Sequence, residues 1–410
     1  MRGRSPRWPK GVLLVAGVLA ALPGVARAAT VTFMVRVPEA TPAAARICIS
    51  GNIDALGPWN PAGMELGALG GGLYAITLEL PDAFDFEYKF TRGSWETVEK
   101  GPAYEEIENR RLDRARDATV EVTVANWRDQ GAERRGPSTV TGDLRVHRDL
   151  PSEALGGGRT VYVFLPPGYD DDPQVRFPVL YMHDGQNLFD AATSFIGVEW
   201  GVDETVARLV AAGEMEPVIV VGIENGGERR AAEYTPMSDR RRGGGEADRY
   251  AQFLLNELKP FVDATYRTLP DGEHTGVMGS SLGGVVSFYL AWEHPGAFLR
   301  VGAMSTAFSW GDGALVDFVS ERPAPRGVRV WMDMGTAEDH SDTDGDGVPD
   351  LIALHRRMRD ALVAQGLEPG RALAFVEDDG ARHDERAWAA RLPAALRFLF
   401  PPANIQRRNE

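Results

Sequence analysis

The run Gly279-Ser280-Ser281-Leu282-Gly283 fits the pattern G-x-S-x-G. It sits between an apolar segment ending at Met278 and an apolar, helix-length segment opening near Gly283. A serine hydroxyl is a weak nucleophile, and it gains strength only where a base can take its proton. A tight strand-to-helix turn holds such a serine exposed, and only small flanking residues fit beside its backbone. At the N-terminus of the following helix, the N–H of Leu282 faces a developing oxyanion. The chemistry offered by this spacing is acyl transfer through Ser281.

The base must be held in one tautomer by a carboxylate, and after an elbow of this kind the chain order is Ser, acid, His. Of the seven histidines, His294, His340, His355 and His383 follow Ser281. His294 precedes Pro295 and reads as a helix end. His355 stands beside Arg356 and Arg357 in a helical stretch and reads as solvated. His383 closes the turn Asp379-Gly380-Ala381-Arg382-His383, after the last apolar strand (373–376) and before a helix over 386–400. It is the expected base. For the acid, Glu338 is the first carboxylate beyond the Gly335-Thr336 turn. Asp339 competes with it, and Asp333 falls inside the strand.

A second carboxylate cluster follows. In Asp342-Thr343-Asp344-Gly345-Asp346-Gly347-Val348-Pro349-Asp350, acids occupy loop positions one, three, five and nine, with Gly at six. That is the pattern of a calcium loop in which Val348 offers its carbonyl, but Ala353 stands where a bidentate Glu belongs. The expectation is a structural calcium site at Asp342, Asp344, Asp346, Val348 and Asp350, of weak affinity, or else a solvated acidic insertion. Serine acyl transfer itself requires no cofactor.

These residues need a frame. Nearly continuous apolar runs at 161–165, 179–182, 218–222, 275–278 and 328–332 alternate with helix-length segments at 203–212, 248–266 and 283–293. Strands apolar on both faces indicate a mostly parallel sheet with helices on both sides. Upstream, short alternating strands at 31–37, 47–49, 73–80, 86–90 and 118–124 read as a β-sandwich, with Cys48 as a small buried hydrophobe. The polar stretch RDQGAERRGP from Arg128 marks a linker, and Arg240 to Gly245 reads as a mobile, solvated loop. The first 28 residues combine a basic head, the apolar run GVLLVAGVLAAL and Ala26-Arg27-Ala28, the layout of a cleaved signal peptide. The run is too short for a comfortable membrane span, for which ~20 residues are needed. The domain reading is therefore 1–28 signal peptide, 29–127 sandwich, 128–139 linker and 140–402 sheet-and-helix domain, secreted to periplasm or medium without a transmembrane segment.

The 410 residues carry a formal charge of -15, which argues against a nucleic-acid partner. Loss of the leader removes five positive charges and leaves 39 basic against 59 acidic residues, a net of -20. A single Cys excludes a disulfide framework and any multi-thiolate metal site.

From about 140 to 400 the chain resembles the esterase D and enterochelin-esterase-like α/β-hydrolases, close to feruloyl esterases and mycolyltransferases. The motifs are Tyr162-Val163-Phe164-Leu165-Pro166-Pro167-Gly168-Tyr169, Tyr181-Met182-His183-Asp184-Gly185-Gln186, the Ser281 elbow, Gly335-Thr336-Ala337-Glu338, and His383 with Trp388. The resemblance implies that the N–H of Gln186 supplies a second oxyanion donor beside Leu282, and that His183 is a wall residue. The N-terminal part resembles immunoglobulin-like, starch-binding carbohydrate modules of the glucoamylase type. It does so through Gly51-Asn52, Leu56-Gly57-Pro58-Trp59, Phe86-Glu87-Tyr88-Lys89-Phe90, Trp95-Glu96 and Asn109-Arg110. This implies sugar contacts at Trp59, Lys89, Trp95, Glu96 and Asn109, although the stretch 97–108 is longer than is usual in the family.

The expectation is a secreted serine ester hydrolase with Ser281 as nucleophile, His383 as base and Glu338 as acid. Its substrates are acyl or feruloyl esters of carbohydrate, or siderophore-type esters, and its N-terminal module binds a starch-like glucan. The alternatives are a glycan-binding surface protein with an inactive hydrolase domain, and an acyltransferase to sugar.

Overall fold

The computed structural model describes residues 28–402, apart from positions 58, 82–85, 103, 105, 106, 108, 113–117, 131–136, 196 and 241. The expected signal peptide, save its last residue, and the middle of the expected linker lie outside the described residues.

In the strand Ala28–Arg36, Val31, Phe33 and Val35 are buried while their neighbours face outward, the two-residue period of a half-buried strand. It pairs antiparallel with Leu73–Pro81 and parallel with Ala118–Thr123, and Gly67–Gly70 adds to the far side of Leu73–Pro81. A second sheet runs Met64–Glu65, Cys48–Gly51, Phe86–Thr91, Arg110–Leu112. The two enclose a core around Phe33, Ile49, Leu80, Phe90 and Trp127, and Cys48 is buried as expected. The indole N–H of Trp127 donates to Thr41 Oγ1 at 2.8 Å.

The second half is built on one eight-stranded sheet. Its spatial order is Asp143–Ser152, Gly157–Leu165, Ile219–Ile223, Val179–His183, Thr275–Ser280, Arg300–Met304, Arg329–Gly335, Leu373–Asp378. The last five pairings are parallel, but the first two are antiparallel. The sheet is thus mixed: parallel over most of its width, as expected, with an antiparallel edge of two pairings. Successive strands can be antiparallel there because a short turn joins 152 to 157, where a parallel return needs a helical crossover.

Alternate residues of each inner strand enter different cores. Val161, Val163, Tyr181 and Val277 face the helices Ala247–Gln252, Lys259–Thr265, Leu282–Glu293 and Asp350–Ala364. Phe164, Leu180, Met182 and Met278 face Val202–Ala211 and Glu385–Leu399. Two-sided burial explains why these strands read as unbroken apolar runs.

The glycine-rich loop after Arg240 is better tied down than the sequence indicates. Arg242 pairs with Asp239 at 2.9 Å and lies over the Trp310 ring at 4.5 Å, and Asp239 and Gly243 exchange backbone hydrogen bonds. The described residues contain no helix long and apolar enough to cross a membrane.

Candidate active site

Ser281 stands between the strand Thr275–Ser280 and the helix Leu282–Glu293, at φ 56° and ψ -119°. A positive φ is costly for a residue with a Cβ and persists only where the surroundings enforce it. Here they do so on both sides: Ser281 N–H donates to Met304 O at 3.0 Å, and its carbonyl accepts from Ala307 N at 3.1 Å. The motif glycines are required by contact. A Cβ on Gly279 would lie 2.9 Å from Gly283 Cα and 3.0 Å from the His183 ring.

The histidine turn is laid against the acid turn. Ala337 N–H donates to Ala381 O at 3.0 Å, and a Cβ on Gly335 would collide with that same carbonyl. The result is a direct hydrogen bond from His383 Nδ1 to Glu338 Oε2 at 2.8 Å, with the carboxylate fully buried and the imidazole partly open. Glu338 Oε1 accepts from Gly335 N–H at 2.7 Å and from Ser305 Oγ at 2.5 Å. Burial alone would raise this carboxyl, but the bonds from His383, Ser305 and Gly335 outweigh it and hold it below its ordinary value. Asp339, the competing acid, is engaged elsewhere. It accepts from Ser341 and from Leu351 N–H in the first turn of Asp350–Ala364.

Ser305 links the elbow to the acid, and the sequence reading missed it. Its Oγ accepts from Trp388 Nε1 at 2.9 Å and from Arg391 at 2.7 Å. Two donors fill the hydroxyl's lone pairs, so its one proton points to Glu338. Arg391 also reaches Asp333 at 2.9 Å and Glu338 Oε1 at 3.6 Å, and Trp388 packs edge-on against the His383 ring at 5.1 Å. Burial lifts the Asp333 carboxyl to about 6 despite the guanidinium beside it. Met304 and Ser305 are consecutive, so the backbone that anchors Ser281 continues directly into the residue that holds Glu338. Among the described residues Ser281 Oγ and His383 share no hydrogen bond, as is common before substrate tightens such a site. No local pattern could have revealed Ser305 or Arg391, which act across 33 and 53 residues of chain.

The expected oxyanion turn is Gly185–Asn187, one turn of 3-10 helix preceded by Asp184 at φ 57°. The N–H groups of Gln186 and Leu282 both fall in first turns, where a helix supplies no acceptor of its own. Asp184 is clamped by Arg230 at 2.7 and 2.8 Å and by Asn225 at 2.7 Å. Burial opposes ionisation of Asp184, but the Arg230 charge and these bonds prevail and keep its carboxyl low. Gly185 is obligatory, since a Cβ would come within 2.5 Å of Gly222. His183 is buried with Nδ1 on Tyr250 OH at 2.9 Å, and burial drives its pKa down to about 3, so it remains a neutral wall residue.

Residues 152–399 match the family model described as "Putative esterase". The chain belongs to this family. It is a carboxylic ester hydrolase, and residues 28–124 match the model of a starch binding domain. An uncharacterized Bacillus subtilis protein, YbbA, is 26% identical over 262 residues, covering 61% of this chain and 95% of its own. An alpha-amylase of Niallia circulans is 43% identical over 108 residues, 26% of this chain and 8% of that enzyme. The structure of the enterobactin esterase of Shigella flexneri in the presence of 2,3-dihydroxy-N-benzoyl-serine aligns over 90% of this chain and 92% of its own. Its TM-score of 0.50 at 17% identity indicates a shared fold.

The other expected residues of this esterase are divided by the structure. Trp59 and Trp95 pair at 6.4 Å, Trp59 being 36% exposed, and Glu96 is exposed beside Arg128 at 3.8 Å. Lys89, in contrast, is buried, with its charge near Glu99, and the Asn109 amide donates to Glu87 at 3.0 Å. Lys89 points to the face of Phe86–Thr91 opposite the core residues Tyr88 and Phe90, and it is covered there as well. In the acidic loop, carboxylates of Asp342, Asp344 and Asp346 converge within 4.8 Å. Asp350 turns away to Thr343, whose N–H it accepts at 3.0 Å, so it does not join them. His355 is a further correction. It is fully buried between Phe308 and Phe375 rather than solvated, and burial lowers its pKa to about 3.

Proposed function

We propose that this esterase works by a Ser281–His383–Glu338 triad. Ser281 Oγ attacks the ester carbonyl while His383 Nε2 takes its proton, and Glu338 holds Nδ1–H in place. The N–H groups of Leu282 and Gln186 receive the oxyanion, each worth ~3 kcal/mol in the transition state. Collapse expels the alcohol, which takes its proton from His383. Water, deprotonated by the same imidazole, then releases the acid and frees Ser281. The observation that carries this reading is the 2.8 Å Glu338–His383 bond, joined through Ser305 to the backbone that strains Ser281. The test is turnover of p-nitrophenyl acetate. Ser281→Ala and His383→Ala should each lose nearly all of it, and the double variant little more, because the two act as a unit. Full activity in either single variant would overturn the triad.

The N-terminal module binds glycan through Trp59, Trp95 and Glu96, whose flat rings suit the apolar faces of sugars. The substrates are acyl esters, feruloyl esters among them, borne on carbohydrate. The chain is exported, with residues 1–28 removed, the sandwich over 29–127, a linker over 128–139 and the hydrolase over 140–402. The first residue of the mature protein, read by mass spectrometry, should be Ala29. A weak structural calcium sits on Asp342, Asp344 and Asp346, supported by the convergence of the three carboxylates. The catalytic cycle runs without it.

A further inference from the structure

The aromatic face of the sandwich does not end with the sandwich. Trp95 meets Phe195 edge to face at 6.2 Å, a spacing close to the 6.4 Å between Trp59 and Trp95. Phe195 belongs to the hydrolase, in the segment that leaves Gln186 and returns at Trp200. The Arg128 guanidinium lies over the Phe195 ring at 4.7 Å, and the same group approaches Glu96 at 3.8 Å. Three rings in series, flanked by an exposed carboxylate and a partly exposed guanidinium, have the composition of a sugar site: apolar faces for C–H groups and a few polar atoms for hydroxyls.

The same segment runs to the catalytic centre. Phe195 N–H donates to Asn187 Oδ1 at 2.8 Å, and Trp200 N–H donates to the Asn187 carbonyl at 2.9 Å. Trp200 packs on Trp388 at 5.7 Å, and Trp388 packs on His383. Phe195 is therefore tied through Asn187 to the expected oxyanion turn. The formal charge of -15 selects against an anionic polymer as the occupant and favours a neutral one.

We propose that Phe195 extends the Trp59–Trp95 face into one sugar-binding surface shared by the two halves of the chain, and that the ester cleaved is carried on the neutral glucan held there. This rests on the serine-esterase and glycan-binding reading above and specifies its substrate. Binding on the shared surface makes the encounter of ester with Ser281 effectively intramolecular, raising its local concentration.

The test compares wild type, Phe195→Ala, Phe195→Tyr and the Trp59→Ala/Trp95→Ala double variant. It measures retardation by soluble starch in native gels and kcat/KM on acetylated starch relative to p-nitrophenyl acetate. Phe195→Ala should weaken starch affinity roughly fivefold, the scale of one aromatic contact. It should lower the polymer-to-small-ester ratio by a similar factor through KM, and Phe195→Tyr should restore both. Unchanged or tighter starch binding by Phe195→Ala would overturn the shared surface, the tighter result showing a ring that covers Trp95. A wild-type ratio that soluble starch fails to depress as competitor would overturn the glucan-borne substrate. Failure of the underlying reading looks different: the double Trp variant would keep full starch affinity, or Ser281→Ala would keep p-nitrophenyl acetate turnover.

Discussion

At the scale of single residues, the proposal of Glu338 as the acid rests on what each carboxylate already holds. Glu338 faces His383, whereas Asp339 caps the start of Asp350–Ala364 through Leu351 N–H. Glu338→Gln should lower kcat/KM on a simple ester by roughly 10³-fold or more, since the imidazole loses its tautomer partner. Asp339→Asn should cost only a few-fold, and the reverse ranking would move the acid. Stability carries its own signature. The Glu338 carboxyl sits below its unfolded value of ~4.3, so its contribution is complete above that pH and is lost as pH falls through the lower folded value. Urea unfolding of wild type and Glu338→Gln should therefore differ most at neutral pH and converge below pH ~4. A gap that widens on acidification would contradict the assignment.

At the scale of elements, the elbow was legible because its requirements are local. Gly279 and Gly283 approach each other across Ser281, and such contact demands small residues at fixed spacing. His383 and Glu338 were legible through position after a strand. The strand Arg300–Met304 was not: Arg300 and Gly302 interrupt its apolar run, although every residue of it is buried. The edge strand Asp143–Ser152 went unread because most of it is exposed, and its partner Gly157–Leu165 supplies the apolar face. His355 was read as solvated and is buried, and Lys89, carried over by resemblance as a sugar contact, is buried as well. Polar side chains read as surface, yet a lysine can be buried near a carboxylate and a neutral imidazole can pack between rings. The acidic loop makes its own prediction. Three convergent carboxylates repel one another, and a divalent cation relieves this, so millimolar calcium should stabilise the fold by RT ln(1 + [L]/Kd) and thereby raise the melting temperature, and a chelator should reverse it. No shift at 10-fold increments of calcium up to ~10 mM, about tenfold above the weak end of such loops, would leave an ordinary solvated insertion.

At the scale of the molecule, the two halves have separate cores, one around Phe33 and Trp127 and two on the faces of the large sheet. The helix Glu385–Leu399 matters to the second half alone. It brings Trp388 and Arg391 to Ser305 and fills the face opposite the nucleophile helix with Leu392, Leu396 and Leu399. A chain stopped at Asp384 should retain affinity for soluble starch and hydrolyse no ester. Ester turnover by that fragment would show that the last helix is dispensable. The same arrangement orders events in time. A ribosome releases the sandwich first, at roughly 5–20 residues per second, and domains fold as they emerge. Trp388 and Arg391, which steady Ser305 behind Glu338, follow the sandwich by more than half of the sequence. On the glycan-binding and esterase readings proposed above, a copy truncated before that helix keeps its grip on sugar and is born without a working blade.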